Sequence, residues 1–174
     1  MPGEFPERFN MAWYFLDRNV EEGRSDKRCL YYRDQAYTYR EVQSQSNRFG
    51  NALRRLGIDV EGRVLLVLPD RPEFAFAWFG AAKVGAVIAM VNPLLPADDF
   101  VHYFQYSRAR VAVVDESTLD RIEPLLPAFT HLRHLVVVGA AGRHLAFEEL
   151  LRESSDRLEN AGTHRDDPAI WLFT

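Results

Sequence analysis

The sequence predicts an α/β fold: a mostly parallel sheet with helices on both faces. Two observations carry this. Five short runs, at 64–68, 87–91, 111–114, 135–138 and 169–173, contain only apolar residues, as strands buried on both faces of a parallel sheet require. Between them lie helix-start signals and helical spacing of apolar residues, so strand and helix alternate along most of the chain.

The clearest unit is 63–92. Pro69 and Asp70 end the run 64–68, and Pro72 with Glu73 opens a helix, proline being tolerated and an acid favoured in a first turn. Residues 74–84 are apolar nearly all round, which predicts a buried helix. Gly85 stops it, and 87–91 is the next strand before Asn92 and Pro93. Strand, helix and strand in this order form a βαβ unit with a right-handed crossover. The stretch 74–91 is also near the length of a membrane span, with Lys83 as its one charge. A central lysine costs roughly 3 kcal/mol in a span, and Gly80 and Gly85 interrupt the run, so a buried helix and strand are preferred.

The other elements follow in order. Asn10 is placed to cap a helix running to about Glu22, with Trp13, Leu16 and Val20 on its inner face and Asp17, Arg18 and Glu21 outside. Gly23 ends it. Residues 29–32 and 36–37 read as two short strands around a turn at 33–35. Thr38 and Glu41 have capping-box spacing, opening a helix through Val42, Phe49, Leu53 and Leu56 to a stop at Gly57. After the βαβ unit, Pro96 opens a helix to about Ser107. Asp98 and Asp99 lie in its first turn, where the helix dipole favours them; as neighbours in sequence they do not face each other as an acid–base or metal pair would. The strand 111–114 ends at Asp115, a helix is expected at 119–126, and the strand 135–138 ends at Gly139. A short amphipathic helix at 147–151 precedes a polar surface connection at 152–167, and the last apolar run reaches Thr174. An apolar strand at a terminus, where polar residues are usual, predicts a fragment of a longer protein.

Composition narrows the function. With 47% hydrophobic and 26% charged residues in 174, the chain has a globular balance, which argues against disorder. A formal charge of −4 argues against nucleic acid as a partner. Cys29 is the one cysteine, so neither a disulfide framework nor a thiolate metal cluster is expected. Residues 1–5 carry no signal-peptide pattern, and a cytoplasmic, non-membrane protein is expected.

Single motifs carry little chemistry. His131 and His134 have H-x-x-H spacing without a nearby acid, and surface histidines are the preferred reading. Ser44, Ser46 and Ser107 lack a nucleophile-elbow glycine pattern. No G-x-G-x-x-G or G-x-x-x-x-G-K-[ST] occurs, and Gly80 and Gly85 are better explained by close packing and a helix stop. Asp70 and Asp115 fall just past strand ends, where open α/β sheets bind ligands. They suit a phosphate-accepting or metal-holding pair, as in a signalling receiver domain, but that site would also want a lysine late in the chain, and none follows Lys83. Turn-forming aspartates are preferred.

Local phrases add a resemblance. Thr38-Tyr39-Arg40-Glu41 with Asn47, Ala52, Leu53 and Gly57, then Gly62-Arg63-Val64 to Pro69, then Phe79-Gly80-Ala81-Ala82-Lys83-Val84-Gly85-Ala86-Val87, resemble the N-terminal region of the adenylate-forming acyl-CoA synthetases. Asn92-Pro93-Leu94-Leu95-Pro96-Ala97-Asp98-Asp99 and Tyr106-Ser107-Arg108-Ala109-Arg110 resemble the benzoate-CoA ligase branch in particular, as do Phe9-Asn10-Met11-Ala12 and the stretch 19–26. The resemblance implies that 1–174 is an N-terminal α/β subdomain of a larger AMP-binding domain, a partial version of the acyl-CoA synthetase fold. It implies an ATP-dependent aryl-carboxylate CoA ligase that forms an acyl-adenylate and then a thioester, using ATP, Mg2+ and CoA on a small aromatic acid. Thr174 matches the first residue of the family's phosphate loop, and is the one cofactor-binding residue expected here. Catalytic and metal-holding residues are expected beyond it, so the chain alone should be inactive, bind these groups poorly, and have the remainder of its own enzyme as partner. The alternatives are a complete flavodoxin-like binding or signalling module, or a scaffold domain that kept the fold.

Overall fold

The computed structural model describes residues 5–173. Thr174 lies outside them. The chain opens with a helical stretch whose cap is Asn10: its Oδ1 accepts from the backbone N–H of Ala12 at 3.0 Å and Trp13 at 3.2 Å. This stretch holds two π-helical turns, Trp13–Asp17 and Val20–Arg24, and the left-handed Gly23 breaks its end. The expected inner face is corrected here. Leu16 is buried as expected, but so is Asp17, while Trp13 is exposed. Asp17 follows Trp13 by four residues and precedes Val20 by three, so helical spacing already places it on their face, and Lys83 pairs with it there.

β1 (Arg28–Tyr32) and β2 (Gln35–Thr38) form an antiparallel hairpin through a turn with Arg33 at φ 51. α1 (Tyr39–Arg55) starts with the capping box: the Glu41 N–H donates to Thr38 Oγ1, and the Thr38 N–H donates to the Glu41 carboxylate at 2.7 Å. Then come β3 (Arg63–Val67), α2 (Pro72–Lys83), β4 (Val87–Met90), α3 (Ala97–Ser107), β5 (Val111–Asp115), α4 (Leu119–Ile122), β6 (His134–Val138), β7 (Leu145–Ala146), α5 (Phe147–Arg152) and β8 (Ile170–Trp171). No helix of the described residues is long and apolar enough to cross a membrane.

β3 to β8 make one six-stranded sheet in the order β7-β6-β5-β3-β4-β8, every pair parallel. Alternate residues of each strand face opposite ways. Val64, Leu66, Ile88, Val113 and Val136 pack with Phe49 and Leu53 of α1, Phe76 and Ala81 of α2, and Phe147 of α5. Leu65, Val67, Ala89, Val114 and Val137 pack on the other side with Phe100 and Phe104 of α3, Ile122 of α4, and Phe129. The expected layering, helices on both faces of a parallel sheet, is the observed one.

Three further expectations need revision. The helix expected at 119–126 is α-helical only over the single turn of α4 and continues as a 3-10 stretch, Glu123–Ala128, with another 3-10 turn, Glu116–Thr118, just before it; Pro124 and Pro127 lack the N–H groups an α-helix needs. The run 169–173 pairs only over Ile170–Trp171 and lies at the sheet's edge, with Leu172 exposed. Apolar composition marks burial, and here Trp171 and Phe173 gain theirs against the α3 face rather than between two strands. The connection 152–167 is polar, as expected, but it is bound along α1. Arg48 donates to the carbonyl of Ser154, Asn47 to that of Asp156, Asn51 to those of Ser155 and Arg157, and Arg54 to that of Glu159.

Candidate functional site

Because β3, β4, β5, β6 and β8 run parallel, their carboxyl ends open along one edge. β3 leads into α2 on one face, while β5 leads towards α4 on the other. Two neighbouring strands whose connections leave on opposite faces create a crevice between their carboxyl ends, the usual ligand position in open α/β sheets. The segments bordering this edge are 68–73, 91–96, 115–117, 139–140 and the end of β8.

Arg71 sits in the crevice. It donates from Nε to Glu73 at 2.7 Å and from Nη1 to Asp115 Oδ2 at 2.6 Å. The other carboxylate oxygen of Asp115 accepts from the backbone N–H and the hydroxyl of Ser117, at 3.0 and 2.6 Å. Burial pushes the Asp115 carboxyl up, but the hydrogen bonds from Ser117 and the Arg71 guanidinium outweigh it and hold the group below its ordinary value. Asp115 therefore caps a 3-10 turn and is paired with Arg71 rather than standing as an unpaired carboxylate. Asp70 is exposed in the turn after β3. The pair is not a receiver-type acidic site, because the carboxylate that is buried is already neutralised by Arg71.

The rest of the edge is equally committed. Glu116 accepts from the Ala140 N–H at 2.6 Å, close under Gly139. Gly139 has φ +100, a backbone conformation that strains any residue with a Cβ, so this position favours glycine. Asn92 caps its own loop through the Leu94 N–H, and Arg121 holds that loop by donating to the carbonyls of Leu95 and Pro93 at 2.6 and 2.7 Å. Asp98 and Asp99 are exposed in the first turn of α3. At the end of β8, Phe173 packs edge-on against Tyr103 with ring centroids 4.7 Å apart. The chain is thus aimed at the carboxyl edge just before Thr174.

The remaining candidates lie elsewhere. Ser46 and Ser107 are buried and donate to carbonyls of their own helices, Val42 at 2.7 Å and Phe104 at 3.3 Å; Ser44 is half-buried on α1. His131 and His134 line a cavity at the opposite, amino edge of the sheet, among arginines. Among the described residues, no group of three His, Cys, Asp or Glu side chains could hold a metal ion.

Sequence reasoning missed one charged centre. Lys83, almost wholly buried, donates to Asp17 at 2.5 Å, and Asp17 also accepts from Gln43 at 2.8 Å and Asn160 at 2.6 Å. Burial pulls the Lys83 ammonium below its ordinary value against the opposing pull of Asp17. The cluster ties the N-terminal helix, α1, α2 and the 152–167 connection together. A lone lysine in an apolar helix was its signal, but nothing in the sequence named the partner.

Comparison with known proteins adds the following. The family described as AMP-binding enzyme matches residues 16–174. A benzoate–CoA ligase of Thauera aromatica is 37% identical over 172 residues, which is 98% of this chain and 32% of that protein. A 4-hydroxybenzoate–CoA/benzoate–CoA ligase of Rhodopseudomonas palustris is 34% identical over 95% of this chain and 31% of its own length. Among solved structures, an anthranilate CoA ligase in complex with anthranoyl-AMP superimposes with a TM-score of 0.89 at 32% identity, over 95% of this chain and 31% of that one. A benzoate CoA ligase from Burkholderia xenovorans gives 0.85 at 31% identity, over 94% and 32%. The chain spans about a third of the length of the curated relatives it matches.

Proposed function

Because this chain belongs to the AMP-binding enzyme family, we propose that the protein carrying it is an aryl-carboxylate CoA ligase, of which residues 1–174 form an N-terminal α/β subdomain. The observation that carries the reading is the similarity to benzoate–CoA ligases along nearly the whole chain. In the proposed reaction a benzoate-like carboxylate attacks the α-phosphate of ATP, giving an acyl-adenylate and pyrophosphate. The thiol of CoA then displaces AMP to form the thioester. Catalysis of this kind rests on positioning and on charge stabilisation around the phosphate.

ATP, Mg2+ and CoA are the groups this reading implies, and the described residues do not make a holding set for them. Asp115 and Glu73 face Arg71, and Glu116 is taken by the Ala140 N–H. The reading assigns this chain a supporting role: β8 carries the backbone to the carboxyl edge, where Thr174 would begin a phosphate loop whose N–H and hydroxyl groups cradle an anion. The metal-holding acid, the aryl pocket and any catalytic lysine are assigned to sequence following Thr174.

The test is the longer reading frame. Its codons after Thr174 should specify Ser, Gly and Thr residues and then a lysine, and the encoded protein should release pyrophosphate from ATP only when benzoate or a substituted benzoate is added with magnesium. A frame that stops at Thr174, or continues without such a loop, defeats the proposal in favour of a complete small-molecule-binding module.

A further inference from the structure

The amino edge of the sheet, opposite the crevice, gathers positive charge. Arg63 starts β3, Arg110 precedes β5, Arg133 precedes β6 and His134 begins it. Backbone hydrogen bonds place them side by side: the Arg110 N–H donates to the Arg63 carbonyl at 3.2 Å, and the Arg133 and His134 N–H groups to the Arg110 carbonyl at 2.8 and 3.0 Å. Arg108, in the left-handed conformation at the end of α3, adds a fourth guanidinium. Like charges on adjacent strands repel, so this grouping is unfavourable without a compensating anion. Among the described residues none of the four arginines has a carboxylate partner within salt-bridge distance. In a chain of net charge −4 this is a local reversal of sign.

The arginines line two adjoining cavities. One, of about 370 Å³, is walled by Arg63, Arg108, Arg110, Arg133, His131 and His134; the other, of about 510 Å³, shares Arg63 and Arg108 and adds His102, Gln105, Tyr106 and Trp171. Among the described residues, no acidic side chain lines either. The second cavity has an aromatic wall: His102 stacks on Tyr106 at 5.6 Å, Tyr106 lies 6.1 Å from Trp171, and the Arg63 guanidinium sits 5.1 Å from the Trp171 ring centre. Arg63 Nε is buried there with no hydrogen-bond partner among the described residues. A cationic chamber joined to an aromatic one suits a single kind of small molecule. Guanidinium forks recognise phosphate, and a flat ring stacks on Tyr106 and Trp171.

We propose that this amino-edge cleft binds an organic phosphate bearing an aromatic ring, of nucleotide size, with its phosphates among Arg108, Arg110 and Arg133 and its ring against Tyr106 and Trp171. The site lies across the sheet from the carboxyl edge and does not depend on the ligase reading. ADP is the probe, titrated into the purified chain with amide resonances followed by NMR. The expected result is perturbation of Tyr106, Arg110, Arg133 and His134, with adenosine and inorganic pyrophosphate each binding at least about tenfold more weakly than ADP, since each makes only one half of the contacts. Arg110→Gln and Arg133→Gln, both at exposed side chains, should each weaken ADP by about tenfold while leaving the remaining amide spectrum in place. Arg110→Lys keeps the charge but not the fork, and should fall between. The proposal is overturned if ADP perturbs the carboxyl edge instead, if neither glutamine variant changes its affinity, if pyrophosphate binds as tightly as ADP, or if a glutamate-rich peptide displaces ADP at lower concentration than ADP itself binds.

Discussion

Lys83 and Asp17 show what a single residue decides in this fold. Their ion pair is buried and each oxygen of Asp17 has a further donor, so removing one member strands a charge in the core. Lys83→Met should lower unfolding free energy by about 3–5 kcal/mol, read as a lower urea midpoint at unchanged slope. Adding Asp17→Leu should recover much of that loss; a double variant no better than the single one would mean the pair is not the unit. Asp115 gives a pH signature. Its carboxyl is held below the ordinary 3.8, so its contribution is complete above that value and is lost as pH falls through the lower folded value. Asp115→Asn should be less stable than the unsubstituted chain near neutral pH, by about 1–3 kcal/mol for a charge-assisted hydrogen bond. The gap should close as the pH drops below 3.8, in a series of denaturant melts. A gap that stays constant down to pH 2 would assign the effect to shape rather than charge.

At the scale of elements, the contact between α1 and α2 is set by two glycines. A Cβ on Gly80 would stand 2.9 Å from the Ser46 carbonyl oxygen and 3.0 Å from the Gly50 nitrogen, and one on Gly50 would stand 3.1 Å from the Gly80 carbonyl oxygen. Alanine would favour an isolated helix by about 1 kcal/mol. Here it pushes two backbones apart, and overpacking of that kind costs about 1–3 kcal/mol. Gly80→Ala should therefore destabilise despite its better propensity, seen as a lowered thermal midpoint; a raised midpoint would show that the helices separate freely. The same reasoning accounts for the 152–167 connection. It has few apolar residues, yet arginine and asparagine side chains of α1 bind its carbonyls and its Asn160 joins the Lys83–Asp17 cluster, so its order comes from polar contacts with other elements.

For the molecule as a whole, the parallel sheet separates two edges of different character. The carboxyl edge is crowded with satisfied polar groups, Arg71 with Asp115 and Glu73, Glu116 with Ala140, Arg121 with Pro93 and Leu95. None of these is free to stabilise a developing charge on phosphate. Incubated with ATP, magnesium, benzoate and CoA, the 174-residue chain should therefore release no pyrophosphate above the uncatalysed background. Benzoate-dependent release by the purified chain at an enzymatic rate, above about 1 per second, would show that the described residues suffice for adenylation.

The sequence by itself determined the layer order and the family. Unbroken apolar runs, the Thr38–Glu41 cap, Pro72 at a helix start and the left-handed Gly57 and Gly85 are local signals, each read within a few residues of where it acts. Tertiary structure decided what depends on residues distant in the chain. Asp17 is held inward because Lys83, 66 residues away, supplies the opposite charge. Asp115 is a cap and not a ligand because Arg71 reaches it across the crevice. The four arginines of the amino edge are scattered from 63 to 133, and only the register of β3, β5 and β6 assembles them. Backbone preferences are set by near neighbours, whereas burial and charge pairing are properties of contacts, and the parallel sheet makes those contacts between segments that the sequence keeps apart.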